Sequence, residues 1–490
     1  MAYPYPKYTL QDTITPGCDI SGGTIHCDIS GVPVYSPHSQ GVYFAVSARG
    51  NLNGQYSNRN YYNVFVGSID LAGNVVWVKT FGRALQPNKN AWNPCLATGP
   101  NDELFLAYST DGAIRYGFHI GVTDTVFARI DVIEGVPQVI WAQQNNYFNT
   151  VFDDTNPVLT IDTKFRYVYL AWTITSNTAQ QVYISCFNFQ GDQLWILLQP
   201  PYGKDYINNS GANRTAAITT DNNGNVYIAY ETSGVRTYTI NDGSNPPQYT
   251  NVPIPYQQID VVKFRTIPGI VYTYNYEWTL SKELNTGLWA SDGYCYKPSI
   301  AYAQDKLVLM FLTSGTIRTH TDSELDVVVA AISTGGDLYW VHQGLPYSLP
   351  IQNIYQTSLS AEGPYVYISA VTNTQTTKDS VLAWKLNNFD GTLMWNYGRP
   401  ADSLPAYGYA CTGVPNAVFD SASYSFLYTS IQAANGRLYL SAFTLTRLPG
   451  PPVAIVPPRW FTLSELGERN YATNYDAYSY LTLDCRNSCV

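Results

Sequence analysis

The same short run returns seven times along this chain, and no other feature constrains its fold as much. The run is a segment of alternating or near-continuous apolar residues followed by Thr, Ser or Gly. It reads GVYFAVSARG (41–50), ELFLAYSTDG (103–112), YVYLAWTIT (167–175), NVYIAYETSG (225–234), KLVLMFLTSG (306–315), YVYISAVTN (365–373) and FLYTSIQ (426–432). A second run of the same kind follows each: NVFVGSID (63–70), TVFARIDV (125–132), QVYISCFNF (181–189), DVVKFRTI (260–267), DVVVAAIS (326–333), SVLAWKLN (380–387) and RLYLSAFTL (437–445). Next comes a tight turn, usually Gly with Asn or Asp, and then a tryptophan: Trp77, Trp141, Trp195, Trp278, Trp340, Trp395 or Trp460. Ahead of the first run lies one more apolar segment, clear as PCLATG (94–99), PVLTID (157–162), TAAITTD (215–221) and PSIAYA (298–303).

Each unit therefore holds four strands, A to D. A lone four-stranded sheet cannot bury both of its faces. Stacking such sheets side by side around an axis does, and leaves only short edges. The expected fold is all-β: a seven-bladed β-propeller of four-stranded antiparallel blades. It spans residues 33–460, flanked by an N-terminal segment, 1–32, and a C-terminal segment, 461–490, one of which is expected to complete a blade. The composition agrees, because Tyr (42), Thr and Val favour strands whereas Gly (36), Pro (29), Asn and Asp favour turns. A tryptophan at the same place in every unit fits a structural role on the outermost strand, where its flat ring covers the seam between adjacent sheets.

Read across a unit boundary, NVFVGSIDLAGNVVWVKTFG (63–82) runs into NPCLATGPNDELFLAYST (93–110), and AAITTDNNGNVYIAYETSG (216–234) has the form apolar-Asp-x-x-Gly-Asn-Val-Tyr-apolar. In these segments the chain resembles the SBBP-type β-propeller repeats. The resemblance covers most of 33–460 and implies a fold with no attached chemistry, so no catalytic residue is carried over. Two units depart from the pattern. The fourth carries an insertion, 234–258, between its B and C strands, and the seventh carries LPGPPVAIVPP (448–458) before its tryptophan.

The charge pattern narrows the partners. Net charge is −9 and no run of Lys or Arg occurs, so the chain lacks the means to neutralise phosphates and nucleic acid is not an expected partner. No stretch of eighteen apolar residues occurs, so no membrane span is expected. The first residues, MAYPYPKYTLQDT, lack the basic and apolar regions of a secretory signal. With only 13% charged residues and many Tyr, Thr and Asn, the composition nonetheless suits a surface outside the cell. A virion or extracellular surface is the expected location, with the cytoplasm left open.

The sequence offers no catalytic motif: no HExxH, GxSxG or P-loop. No cofactor or metal is expected. A quinone-binding propeller is disfavoured by seven units and no adjacent cysteine pair. The turns around Asp70 and Asp390 lack the spacing of a sialidase Asp-box. Asp221-Asn222-Asn223-Gly224-Asn225 reads as an A–B hairpin turn in preference to a calcium loop. His26, His38, His119, His320 and His342 are scattered, and Asp322, Glu324 and Asp326 read as a solvated loop end. Of the eight cysteines, Cys95, Cys186, Cys295 and Cys411 read as buried small hydrophobes. Cys18, Cys27, Cys485 and Cys489 flank the repeats and are candidates for disulfides that close the ring or bind a neighbouring chain. Asn208 and Asn213 stand in glycosylation sequons.

Loop lengths point to where function sits. A–B and C–D connections are tight turns, whereas D–A and B–C connections are long, and in such a fold both long classes emerge at one end. That end carries the candidate interaction surface: Tyr147, Phe148, Tyr202, Tyr206, Tyr249, Tyr256, Trp289, Tyr294, Tyr347, Tyr407 and Tyr409. Three functions stay open. The first is a non-enzymatic structural or interaction protein, a subunit of an extracellular or viral assembly that binds protein, including copies of itself. The second is a lectin-like propeller that binds glycan. The third is a glycoside hydrolase or lyase.

Overall fold

The computed structural model describes residues 34–36, 38–39, 41–48, 51–52, 55–56, 61–70, 75–87, 89–176, 180–197, 206–209, 213–240, 248–267 and 274–280. It further describes 293–317, 325–344, 353–373, 380–397, 424–434, 437–446, 459–463 and 483–484. Among these residues the chain is all β apart from one short turn of 3-10 helix at Gly82–Ala84. The strands form seven antiparallel sheets, here I to VII, of four or five strands each, plus one two-stranded ribbon. Sheets of this meander order are the blades of β-propellers, as the repeats lead one to expect. Closure of seven blades into one ring stays an expectation of the sequence.

By contacts the chain divides into two units. The first, Met1–Asp102 with Pro346–Val490, contains sheet I (Val34–Ser36, Gly41–Ala48, Asn63–Ile69, Val75–Lys79), strand Ala91–Thr98, sheet VI (Asn353–Glu362, Tyr365–Asn373, Ser380–Asn387, Leu393–Tyr397) and sheet VII (Tyr424–Ala434, Arg437–Thr446, Arg459–Leu463, Leu483–Asp484). The second, Glu103–Leu345, receives Glu103–Thr110, Asp124–Ile133 and Val136–Gln143 from sheet II. It also holds sheet III (Asp153–Asp162, Tyr167–Thr175, Gln180–Asn188, Gln193–Leu197) and sheet V (Cys295–Ala303, Lys306–Thr313, Asp326–Ser333, Leu338–Gln343). Sheet IV has five strands, Tyr206–Asn209, Asn213–Thr220, Asn225–Ile240, Gln248–Thr266 and Tyr274–Leu280.

The near-continuous apolar B strand of sheet IV is buried on both faces, because the sheet is covered by sheet III on one side and sheet V on the other. Sheet IV shows how alternation works in that setting. Tyr227 and Ala229 turn into one core with Leu307, Leu309 and Phe311 of sheet V, whereas Val226, Ile228 and Tyr230 turn into another with Tyr169, Ala171 and Trp195 of sheet III. A period of two thus survives, but both sets of side chains are apolar. The first strands of sheets III, IV and V (Asp153–Asp162, Asn213–Thr220, Cys295–Ala303) pack against one another. They form the inner edge of this unit, and the tryptophan strands lie at the opposite edge of each sheet.

Two irregularities recur. On the last strand of sheets I to VI one residue is bulged out just before the tryptophan: Val76, Ile140, Leu194, Glu277, Tyr339 and Met394. The bulge resets the alternation, and in sheets II and III the ring behind it turns toward the neighbouring sheet. On the first strand of sheets III to VII a second register shift falls near the long-loop end. In sheets III and V it lies at Asn156 and Lys297, which take left-handed backbone (φ 53 and 50) immediately before a proline.

One sequence expectation is altered here. The insertion 234–258 is not a loop: both flanking strands continue through most of it as a long hairpin, Asn225–Ile240 paired with Gln248–Thr266. Tyr249 and Tyr256 are therefore strand residues, and Tyr206 lies on the short strand added beside the hairpin.

Candidate functional site

The long-loop end of the second unit is organised by a clamp that occurs twice. In sheets II and V the B strand ends in Thr-x-Gly-x-Ile, the C strand opens with Asp, and the D strand is followed by or ends in Gln. The backbone N–H of Gly112 donates to Thr110 Oγ1 (3.0 Å), and that of Gly315 donates to Thr313 Oγ1 (3.0 Å). Gln144 Oε1 accepts from the N–H of Ile114 (2.9 Å), while its Nε2 donates to the carbonyl of Gly112 (2.7 Å) and to Asp124 Oδ2 (3.0 Å). Gln343 repeats this with Ile317 (2.6 Å), Gly315 (2.7 Å) and Asp326 (2.9 Å). Asp326 is accordingly buried and structural, a correction to its reading as part of a solvated loop end; Asp322 and Glu324 lie outside the described residues.

In sheet II the clamp fastens two loops to each other, 111–123 between strands B and C and 144–152 after strand D. Phe118 N–H donates to the carbonyl of Gln144 (2.8 Å) and Asp154 N–H to that of Thr123 (2.8 Å). Asp124 also accepts from the N–H groups of Ile120 (3.0 Å) and Gly121 (3.1 Å), with His119 Nδ1 3.2 Å away. Only glycine fits at 121, since a Cβ there would stand 2.0 Å from the carbonyl oxygen of Phe152. On the second loop Asn149 imitates a strand partner: its side chain accepts from Thr125 N–H (2.8 Å) and donates to Thr125 C=O (2.9 Å).

Beneath them lies Asp154, fully buried. One oxygen accepts from Trp172 Nε1 (3.0 Å), the other from the N–H (2.8 Å) and hydroxyl (3.0 Å) of Thr150. Burial pushes its carboxyl up to about 6, with a small further push from Asp124, against the downward pull of those donors. Its neighbour Asp153 has one carboxylate oxygen buried without a hydrogen-bond partner.

This bracing leaves large apolar side chains facing water: Tyr116, Phe118 (74% exposed), Val122, Tyr147 (74%), Val151 and Phe152. Isolated exposed hydrophobics are ordinary, but six on two fastened loops are a surface. Arg115 lies over the Tyr116 ring (4.9 Å). Tyr147 belongs to the surface expected from the sequence. Phe148 does not: it is 2% exposed and packs edge-on against Trp172 and Phe187. The side-chain oxygen of Asn145 accepts from the N–H of Tyr147 (3.0 Å), a local turn in which Tyr147 faces outward while Phe148 is buried.

At the same end of sheet V, Tyr294 is 45% exposed and Tyr256 is half-buried beside it. Tyr202, Trp289, Tyr347, Tyr407 and Tyr409 lie outside the described residues, as do Cys18, Cys27, Cys411, Cys485 and Cys489. Cys295 is buried, Cys95 is only partly covered, and burial raises the thiol of Cys186 well above its usual range.

The seven tryptophans lie on the terminal strand of each sheet's main path. Two of them reach the neighbouring sheet. Trp141 Nε1 donates to the carbonyl of Phe189 in sheet III (3.1 Å), and Trp195 Nε1 to Thr266 Oγ1 in sheet IV (3.3 Å). Trp340 is buried, Trp77 is half-buried 6.0 Å from the ring of Tyr43, and only the strand positions of Trp278, Trp395 and Trp460 are described. The Asp221 turn is a hairpin turn whose carboxylate is engaged by Asn223 N–H, Asn225 Nδ2 and the Tyr227 hydroxyl. Among the described residues, no group of three His, Cys, Asp or Glu side chains is arranged to hold a metal ion.

No protein-family model matches this sequence, and no curated protein matches it. Solved structures do resemble it. A Trypanosoma rangeli sialidase in complex with the inhibitor DANA aligns over 94% of this chain and 59% of its own length, with 11% identity and a TM-score of 0.40. A thermostable family-43 glycoside hydrolase aligns over 70% of this chain and 98% of its own, with 14% identity and a TM-score of 0.31. The GH93 α-L-arabinofuranosidase of Fusarium graminearum, in complex with arabinobiose, aligns over 76% and 92%, with 8% identity and a TM-score of 0.40. The chain thus spans about 59% of the length of the sialidase. The likeness is one of fold, and no residue is carried across. It does correct the sequence-based expectation of a non-enzymatic subunit of an extracellular or viral assembly, since all three are named as enzymes acting on sugars.

Proposed function

We propose that this chain is a carbohydrate-active protein whose sugar-contacting surface is the long-loop end of sheets II and III. The observation behind the reading is the set Tyr116, Phe118, Tyr147 and Phe152, exposed on two loops fastened by Gln144, Asp124, Asn149 and Asp154. A sugar ring has one apolar face that lies flat on an aromatic ring and a rim of hydroxyls that need hydrogen-bond partners. Aromatic rings interspersed with Asp111, Asn145, His119 and Asp153 offer both. Loops already ordered in this way are spared much of the cost of immobilising side chains on binding, about 0.5–1.5 kcal/mol each.

The test is calorimetric titration of arabino-, xylo- and chito-oligosaccharides into the protein, with released reducing sugar measured in parallel. Phe118→Ala and Tyr147→Ala are each expected to weaken binding of the recognised sugar about tenfold, a loss of about 1.4 kcal/mol. Both should leave stability within about 0.5 kcal/mol, because the rings are in water before binding. Binding that neither substitution changes would remove the site, and no binding across the panel would remove the carbohydrate reading.

A further inference from the structure

Tyr294 stands at the same end as the first surface, at the start of sheet V, and is held there by bonds independent of any ligand. Its N–H donates to Ser314 Oγ (2.9 Å), and its carbonyl accepts from Ser314 N–H (3.0 Å). Gln258 Nε2 donates to the carbonyl of Gly293 (3.3 Å), where a Cβ would stand 2.2 Å from Gly315 N, so the two backbones lie in direct contact there. The exposed Tyr294 ring is stacked on Tyr296 (centroids 6.1 Å apart, planes at 18°) and meets Tyr256 edge-on (5.2 Å, 75°). Under this ledge Glu231, buried, accepts from Gln257 Nε2 (2.8 Å) and from the N–H of Lys297 (2.7 Å) in the first-strand bulge of sheet V. The ledge is therefore a fixed aromatic face with polar neighbours, the same chemistry as the surface on sheets II and III.

The first strands of sheets III, IV and V pack in succession. Packed sheets lie about 10 Å apart, so two steps from sheet III to sheet V are on the order of 20 Å. No single sugar ring spans that distance. We infer that Tyr294, backed by Tyr256 and Tyr296, is a second sugar-ring platform, and that the ligand is an oligosaccharide chain reaching from Phe118 and Tyr147 to Tyr294. This inference rests on the carbohydrate reading above and extends it from a ring to a chain. Joining two contacts through one ligand raises affinity without new chemistry at either contact.

The experiment uses the oligosaccharide series of the recognised sugar, graded from disaccharide to octasaccharide, titrated into the full chain. The octasaccharide should bind at least about tenfold tighter than the disaccharide. Tyr294→Ala should bring the octasaccharide down to near the affinity of the disaccharide and leave the disaccharide itself unchanged, whereas Tyr294→Phe should keep the gain. A thermal melt matching that of the wild type shows that the ledge variant is folded. An affinity indifferent to chain length, or a Tyr294→Ala effect equal on short and long ligands, overturns the second platform while the first stands. Failure of every sugar to bind overturns both.

Discussion

The two ends of the sheets in the second unit are braced by the same kind of bond and differ in what they leave facing water. At the short-turn end Asp162 accepts from the N–H of Gly224 in the next sheet (2.7 Å), Thr163 donates to Asn222 from both its N–H (2.9 Å) and its hydroxyl (3.2 Å), and Lys164 donates to Asn223 (2.9 Å). Arg166 spans Glu103 (2.9 Å) and the face of Phe189. Of the exposed large hydrophobics in this unit, Ile133 and Val136 belong to a turn here and Ile140 and Tyr339 to the edge strands, while Tyr116, Phe118, Val122, Tyr147, Val151, Phe152 and Tyr294 belong to the other end. Bracing alone is thus no mark of function. At the short-turn end it joins sheets; at the long-loop end it holds apolar side chains out in water, a cost that folding does not require and that a ligand can recover.

The comparison can be broken in three ways. The largest effect should come from neither end but from the seam between sheets. Trp195→Ala removes a ring that is 3% exposed and bonded to Thr266, so it should cost about 3–5 kcal/mol in chemical denaturation. A loss below about 1 kcal/mol would mean that the seam is not where stability lies. Next comes the short-turn end. Asp162→Ala leaves the N–H groups of Gly224 and Phe165 without their acceptor and should cost about 1–3 kcal/mol, with no change in sugar binding. A binding defect in this variant would erase the distinction between the ends.

The effect confined to a pH window is a titration at the long-loop end. The Asp154 carboxyl goes from its ordinary 3.8 up to about 6 on folding, so the folded chain holds this proton more tightly than the unfolded one. Its contribution to stability is full below 3.8 and is lost as pH rises toward about 6, a difference of up to about 3 kcal/mol. Denaturation midpoints of wild type and Asp154→Asn, measured across that window, should diverge as pH rises, with the wild type losing ground. Parallel curves would mean that Asp154 titrates alike in both states.

The strands and the edge position of each tryptophan were legible in the sequence because apolar alternation, Gly-Asn turns and a recurring indole report the period and punctuation of a sheet directly. The hairpin through 234–258 was not, since Pro246, Pro247, Pro253 and Pro255 signal a break. Yet Pro253 sits in register opposite Val235 in the extended arm of sheet IV, where few strands demand its missing donor. The site was legible as an end of the molecule but not as a set of residues. Tyr147 and Phe148 are neighbours of similar type, and only the turn made by Asn145 separates the exposed ring from the buried one. Asp154 had no signature at all, because a single Asp at a strand start is common; its role comes from Trp172 and Thr150 converging on it. A signal for the clamp was present in the recurrence of Thr-x-Gly-x-Ile at 110–114 and 313–317, each with Asp and Gln downstream.

The bulge before each edge tryptophan has a practical consequence. By slipping the strand one residue out of phase, it lets two adjacent positions differ: at Trp141 the indole bonds across to the next sheet, while Ile140 before it faces water. Val76, Ile140, Glu277 and Tyr339 are the exposed instances. Glu277 is paired with Lys263 and Tyr339 lies under Lys306, so Val76 and Ile140 are the natural attachment points, where a cysteine could carry a dye or a tether without breaking an ion pair or a cation–π contact. Anchored through such a handle on an edge strand, the protein would keep its long-loop end free in solution.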